Sequence, residues 1–413
     1  MRYVLVTILT LSLTNGVAQI DASELLIARN TGTKTLADGN AIPVMGFAQT
    51  IMENPAIPGP TLEFYEGDSV EIDLWNFSQG APHTVHLHGL DVDQQNDGVP
   101  HLSFEVYHMD HGFYYFKAPH AGTYLYHCHV VSSVHVQAGM YGLLIVHPSD
   151  GSQTTWNGGY DYDNSMSLLM SEIDTTWHSD SVMLHTYDTS LMVNYVAVPE
   201  YKPQFYLVNG LSDQQIADSS MQLNTSAGAV NYLRLANIGF KGCRVILPST
   251  FGTQIIDSDG RPFPNIEYSD TVLIFPGERY GVLGTLNYEG NENITIEYFD
   301  MNTGILENTQ YVPIVSSGFV GLNSSNNSNG LLTVQPNPFN QNTTLHIQSE
   351  NMNEVIINIF DIRGQLVLSE KLTDNIGDEL LYEIDGTLLH SGIYLAEVLI
   401  DQKERLSQKI IRY

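Results

Sequence analysis

Apolar and polar residues alternate along this chain in short runs, and no long stretch carries a helical period, so the elements to expect are β-strands. Thr61-Leu62-Glu63-Phe64, the turn Glu66-Gly67-Asp68 and Val70-Glu71-Ile72-Asp73-Leu74 read together as a hairpin. Further strands are expected over residues 85–90, 112–118, 122–127 and 142–147. About seven or eight such strands within residues 19–150 make a Greek-key sandwich. Residues 151–315 repeat the texture, with strand-like runs at 204–208, 232–236, 243–247, 271–275 and 294–298, and predict a second sandwich. A Ser-, Asn- and Gly-rich stretch at 316–330 reads as a linker, and residues 331–413 as a small β module. The expected fold class is therefore all-β, two tandem sandwiches followed by a third, smaller one.

Length and charge narrow the setting. At 413 residues the chain exceeds one ordinary core. It opens Met1-Arg2, continues with an apolar run from Tyr3 to Leu13 and then places small residues at Gly16 and Ala18. That order predicts a secretory signal over residues 1–18. The run is too short to span a bilayer, and no later segment is long enough. A secreted protein, or one held at the outer cell surface, follows. The formal net charge of -30 argues against nucleic acid as a partner and favours repulsion from anionic surfaces; solubility in a salty exterior explains it first, ahead of attraction of cationic substrates such as metal ions.

The two cysteines, Cys128 and Cys243, would be free to pair in an exported protein. Cys128, however, lies between two histidines, which makes a metal ligand the better reading. Cys243 reads as a small buried apolar residue. The chemistry concentrates in two strings: His83-Thr84-Val85-His86-Leu87-His88-Gly89, and His127-Cys128-His129 followed by His135 and Met140. Side chains alternate faces along a strand, so His86 and His88 point one way, and so do His127 and His129. Cys128 must point the opposite way, into its own sandwich. A thiolate with two imidazoles and a weak thioether is the ligand set of blue-copper sites; four imidazoles suit a further copper or zinc.

Residues 56–147 resemble the cupredoxin domains of multicopper oxidases such as laccases, through Pro58-Gly59-Pro60-Thr61, Glu66-Gly67-Asp68, Asp97-Gly98-Val99-Pro100 and Gly122-Thr123-Tyr124-Leu125-Tyr126-His127-Cys128-His129. The resemblance implies a type 1 copper on His83, Cys128, His135 and Met140. It further implies that His86 serves a type 2 copper, and that His88, His127 and His129 serve a type 3 pair. Asp97 stands at the spacing of the acid that passes protons to the oxygen-reducing cluster; as a turn residue before Gly98 it has an equally ordinary explanation.

The second sandwich resembles the copper-free middle domain of three-domain oxidases, through Phe205-Tyr206-Leu207-Val208-Asn209-Gly210, Leu233-Arg234-Leu235-Ala236-Asn237-Ile238-Gly239, Asp257-Ser258-Asp259-Gly260 and Pro276-Gly277-Glu278-Arg279-Tyr280. These read as fold signatures without chemistry. Residues 331–413 resemble the C-terminal sorting domain of type IX secretion, through Val334-Gln335-Pro336-Asn337-Pro338-Phe339, residues 357–367 and Leu389-His390-Ser391-Gly392-Ile393-Tyr394. That implies the type IX secretion machinery as a partner.

The function implied is one-electron oxidation of a small phenolic or metal-ion donor coupled to dioxygen reduction. The chain holds one His-x-His pair of each kind, and its second sandwich adds only His178 and His185. One chain thus supplies only part of such a cluster; the resemblance to two-domain oxidases, typically trimers with clusters at subunit interfaces, implies a homo-oligomer such as a trimer and leaves open whether the oxygen-reducing cluster is complete. His101, His108, His111 and His120 read as solvated loop residues. Two alternatives remain at this stage: a nitrite-reductase-like enzyme with one type 1 and one type 2 copper, and a copper-binding or electron-transfer protein without turnover.

Overall fold

The computed structural model describes residues 20–183, 187–188, 193–194, 198–319, 330–361, 366–401 and 404–413. The expected signal at 1–18, His185 and residues 320–329 of the expected linker lie outside them, while residues 316–319 of that linker belong instead to the strand Leu306–Phe319. The chain divides into two compact units, residues 1–318 and 319–413.

The first sandwich of the larger unit has eight strands: β1 (Ala22–Thr35), β2 (Ala41–Ala48), β3 (Leu62–Tyr65), β4 (Ser69–Asn76), β5 (His86–His88), β6 (His111–Lys117), β7 (Gly122–His127) and β8 (Tyr141–His147). They form two four-stranded sheets, in the orders β2-β1-β4-β6 and β3-β8-β7-β5. Their inward residues, among them Leu26, Phe64, Ile72, Leu74, Leu87, Tyr114, Tyr126 and Leu144, share one core. Burying a side chain of that size contributes roughly 1.5–3 kcal/mol.

The hairpin expected at residues 61–74 does not form. β3 pairs in parallel with β8, whereas β4 pairs with β1 and β6, so the chain changes sheet at Glu66-Gly67-Asp68. Both strands alternate correctly, Leu62 and Phe64 from one side and Val70, Ile72 and Leu74 from the other. Alternation fixes which face is buried but not which neighbour is paired. β1 and β2, a long antiparallel pair, had no clear signal in the sequence. The same holds for helix α1 (Ser132–Ala138), which is too short to show a period.

The second sandwich sets a six-stranded sheet against a five-stranded one. The first takes the order 205–208, 164–173, 231–237, 279–284, 254–258, 261–268, and the second 223–227, 306–319, 290–299, 242–246, 271–274. All five strand-like runs read from the sequence are strands here. Cys243 is fully buried, and both cysteines are free thiols. In the smaller unit, strands 331–335, 342–361, 392–400 and 404–412 follow one another across a sheet, and 366–385 pairs with 342–361.

The two sandwiches meet across an apolar seam in which Leu36, Val44, Leu125 and Leu143 pack with Leu169, Leu207 and Ala236. A buried amide fastens it. Gln137 on α1 donates to the carbonyl of Glu172 at 3.0 Å and accepts from the Asp174 N–H at 2.8 Å. The Glu172 side chain, on β9 (Asn164–Ile173), accepts from the Tyr201 hydroxyl at 2.9 Å and from the Phe240 N–H. Burial pushes this carboxyl up to about 7, and those hydrogen bonds offset only part of the shift.

A carboxyl raised in this way keeps its proton in the folded state after the unfolded chain has lost it. Stability therefore falls as pH rises from the ordinary value of 4.5 through about 7. Glu172→Gln should remove that loss and raise the melting midpoint near pH 8, with little change near pH 4. Melting curves for the variant that run parallel to the wild type across this range would contradict the assignment.

Candidate metal centres

Strand β7 delivers Tyr126 and His127 and then leaves the ladder, but the extended course continues. The Cys128 N–H donates to the Met140 carbonyl at 3.0 Å and the His129 N–H to Thr84 Oγ1 at 3.0 Å. Alternation through these residues separates two groups of side chains. The His127 and His129 rings lie on one side, 5.9 Å apart at 24°. The Cys128 thiol lies on the other, fully buried in the first core.

The inward group joins Cys128 to His83 and His135. Cys128 Sγ is 3.2 Å from His135 Nδ1 and 3.7 Å from His83 Nδ1. Sulfur and nitrogen ligands sharing one small ion, with bonds near 2.3 and 2.05 Å, stand about 3.5–3.8 Å apart. His83 meets that spacing and His135 stands inside it, and a thiol with two imidazoles is a donor set that suits copper. α1 carries His135, and the left-handed Gly139 that ends it turns the chain back, so that the Met140 N–H bonds the His135 carbonyl at 2.9 Å. Met140 is buried in the same cluster as Cys128.

A polar chain behind His83 settles which ring nitrogen faces the sulfur. Asn76 donates its amide N–H to the Val106 carbonyl at 2.9 Å, which leaves Asn76 Oδ1 to accept from the Ser78 hydroxyl at 2.7 Å. Ser78 Oγ has thereby spent its proton and accepts from His83 Nε2 at 2.6 Å. His83 Nδ1 is left with its lone pair turned to Cys128, as a ligand needs. Burial pushes the Cys128 thiol up to about 12, so a metal must displace its proton on binding.

The outward group collects His86, His88 and His127, whose ligand atoms lie within 4.8 Å of one another. The His129 ring is 5.2 Å from that of His86. His127 Nδ1 donates to the Cys128 carbonyl at 3.1 Å, which turns the lone pair of Nε2 toward His88. That Nε2 stands 3.3 Å from His88 Nδ1, close to the separation of about 3.3 Å for two nitrogens on one tetrahedral ion. Burial, then the Arg279 charge, lowers His88 to about 4; burial lowers His127 to about 3. Both are neutral, lone-pair-bearing imidazoles at neutral pH.

Asp97 holds His86 from behind, accepting from Nδ1 at 2.7 Å through its backbone carbonyl, with a carboxylate oxygen at 3.4 Å. Gly98 permits this turn, because its φ is +71° and a Cβ there would fall 2.0 Å from the Val85 carbonyl oxygen. His178 is buried, with Nδ1 on the Pro43 carbonyl at 2.8 Å, and is not part of either group. His111 bonds Asp73, and His120 bonds the Ala121 carbonyl.

Pro276-Gly277-Glu278-Arg279-Tyr280 does more than mark the fold. Arg279 reaches out of the second sandwich, pairs with Asp259 at 2.8 Å and lies so close to Gly89 that a Cβ there would meet Nη2 at 2.1 Å. Gly277 packs on the His88 ring. A cavity of about 300 Å³ opens beside the outward histidines, lined by His88, His127, Ser132, Ser133, Val136, Ile238, Gly239, Phe240, Pro276 and Gly277. Sequence reasoning missed Ser78, Asn76 and Arg279. None sits in a motif with the ligands, so only a folded chain brings them there.

Parts of this chain are similar to known proteins. Residues 35–151 match the multicopper oxidase family, and residues 333–412 match the secretion system C-terminal sorting domain. L-ascorbate oxidase of Cucurbita pepo var. melopepo is 27% identical over 265 residues, 58% of this chain and 45% of that one. Copper-containing nitrite reductase of Alcaligenes xylosoxydans xylosoxydans is 33% identical over 129 residues, 30% of this chain and 38% of that one. The chain thus spans less than half the length of these relatives. The crystal structure of the blue copper oxidase from Nitrosomonas europaea superposes with a TM-score of 0.57 at 26% identity, covering 71% of this chain and 86% of that one. The chain carries a multicopper oxidase domain and a secretion sorting domain, and no helix among the described residues is long and apolar enough to cross a membrane.

Copper added to the purified protein should produce an intense blue thiolate-to-copper band, and Cys128→Ser should abolish it while the far-ultraviolet spectrum stays β-rich. Colour that survives the substitution would remove Cys128 from the site.

Proposed function

We propose that this chain is an exported copper oxidoreductase that takes single electrons from a phenolic or metal-ion donor and reduces dioxygen to water. The observation that carries this reading is the back-to-back placement of the two groups on residues 127–129. His83, Cys128 and His135, with Met140, would hold a type 1 copper, and His86, His88, His127 and His129 the type 2 and type 3 coppers. Copper, when bound, would supply one-electron oxidation on the inward side and oxygen reduction on the outward side. The backbone between Cys128 and its two histidine neighbours is the shortest covalent link between them. Asp97, with its carboxylate 3.4 Å from His86 Nδ1, is the group we assign to proton delivery at the outward side.

The outward histidines of one chain make half of the imidazole set such a cluster uses, so we place the complete site between copies in a homo-oligomer. The sorting domain supports export by the type IX machinery, with release or attachment at the cell surface.

One observation favours a second reading. The tight trio His86, His88 and His127 also suits a single ion. One copper there beside the type 1 copper would give the arrangement of a nitrite reductase.

Copper content and oxygen uptake separate these readings. The oxidase reading expects an oligomer that consumes oxygen with hydroquinone or ferrous ion, with copper well above one per chain. Two coppers per chain with nitrite consumption and no oxygen uptake would establish the second reading. A blue protein with one copper per chain and neither activity would leave a copper-binding or electron-transfer protein.

A further inference from the structure

Both imidazoles facing Cys128 are shut off from solvent, His83 at 2% exposure and His135 at 0%. A donor in solution therefore touches neither ring edge, and an electron needs another way in. The His83 ring leads outward. His83 Nε2 is bonded to Ser78 Oγ at 2.6 Å, and the carbonyl of the same serine accepts from His108 Nδ1 at 2.7 Å. His108 is exposed, so two hydrogen bonds and the covalent skeleton of one buried serine connect the surface to the inward ligand.

The loop that carries His108 is pinned to the ligand. His83 and Val106 exchange backbone hydrogen bonds of 3.0 and 2.9 Å, and the Met109 N–H donates to the Asn76 carbonyl at 2.7 Å. The bridge is thus held on both sides by backbone pairing. Around His108, Phe77, Tyr107 and Met109 are 38%, 40% and 50% exposed, an apolar rim suited to a flat aromatic reductant.

We infer that the electron enters at His108 and reaches His83 through Ser78. This rests on the reading of the inward group as a type 1 copper site. With hydroquinone as donor, one electron would leave the ring and reduce the copper(II) that His83, Cys128, His135 and Met140 would hold. The released hydroxyl proton passes to His108 Nε2, the nitrogen left free by the bond to Ser78, and then to water. His108 meets the donor, and Ser78 is a positioning residue that never does.

The test is anaerobic stopped-flow bleaching of the blue band by hydroquinone in the full-length, copper-loaded protein. Ser78→Ala and His108→Ala should each lower the limiting rate about tenfold, the low end of the cost of losing an outer ligand partner. Ser78→Thr, which keeps the hydroxyl, should restore it. The half-saturating hydroquinone concentration should rise for His108→Ala and stay fixed for Ser78→Ala. Unchanged limiting rates in a variant that keeps its blue band would overturn the inference. So would a loss no larger than the shift in copper midpoint potential accounts for. Nitrogen NMR of the copper-free protein gives an independent readout: His83 should carry its proton on Nε2, and a proton on Nδ1 would break the bridge. A wild type that never turns blue defeats the copper reading itself, whereas a blue wild type with indifferent variants defeats only this route.

Discussion

Neighbouring side chains on an extended strand leave on opposite faces, and the rest of this site depends on that rule acting at residues 127–129. Cys128 turns into the core and its two histidine neighbours turn out of it. Everything around the strand is arranged to exploit the split. β5 pairs with β7 so that His86 and His88 join the outward side, with His86 opposite His127 in the ladder. The turn after α1 brings His135 and Met140 to the inward side. The thiol's burial carries a cost, since an apolar surround disfavours the thiolate. A soft metal is the natural partner able to reverse that preference, so the environment that silences a free cysteine would also suit it to bind copper.

The second sandwich contributes no imidazole to these groups among the described residues, yet it shapes both. Gln137, on the helix that carries His135, is anchored to Glu172 and Asp174 of the second sandwich, so the ligand helix is held from the far side of the seam. The Arg279 charge adds to the burial that keeps His88 neutral, and Gly277 leaves room for its ring. The lining of the cavity beside His88 and His127 is drawn partly from the second sandwich. A two-sandwich unit is thus the smallest piece in which the outward face has its observed shape and charge.

Much of this was legible in the residues themselves. Alternation located the core strands, and the strings around His83 and His127 named the side chains that come together. What escaped has a common cause: pairing partners and outer contacts are set by tertiary packing. The corner at Glu66-Gly67-Asp68 carries the turn chemistry of a hairpin but changes sheet, because β8 rather than β4 supplies the partner of β3. Ser78 lies five residues from His83 in a segment with no motif, and its role appears only once Asn76 and Val106 fix the direction of its proton. Arg279 looked like part of a fold signature because nothing in its own segment points to a metal.

The central claim is that one strand serves two separate metal sites from its two faces. Electron paramagnetic resonance of the copper-loaded His88→Gln/His127→Gln double variant tests it most directly. The account predicts that the narrow copper hyperfine pattern of the thiolate site persists unchanged while every signal and copper equivalent of the outward site disappears. Loss of both sites together, or retention of the full copper complement, would contradict it.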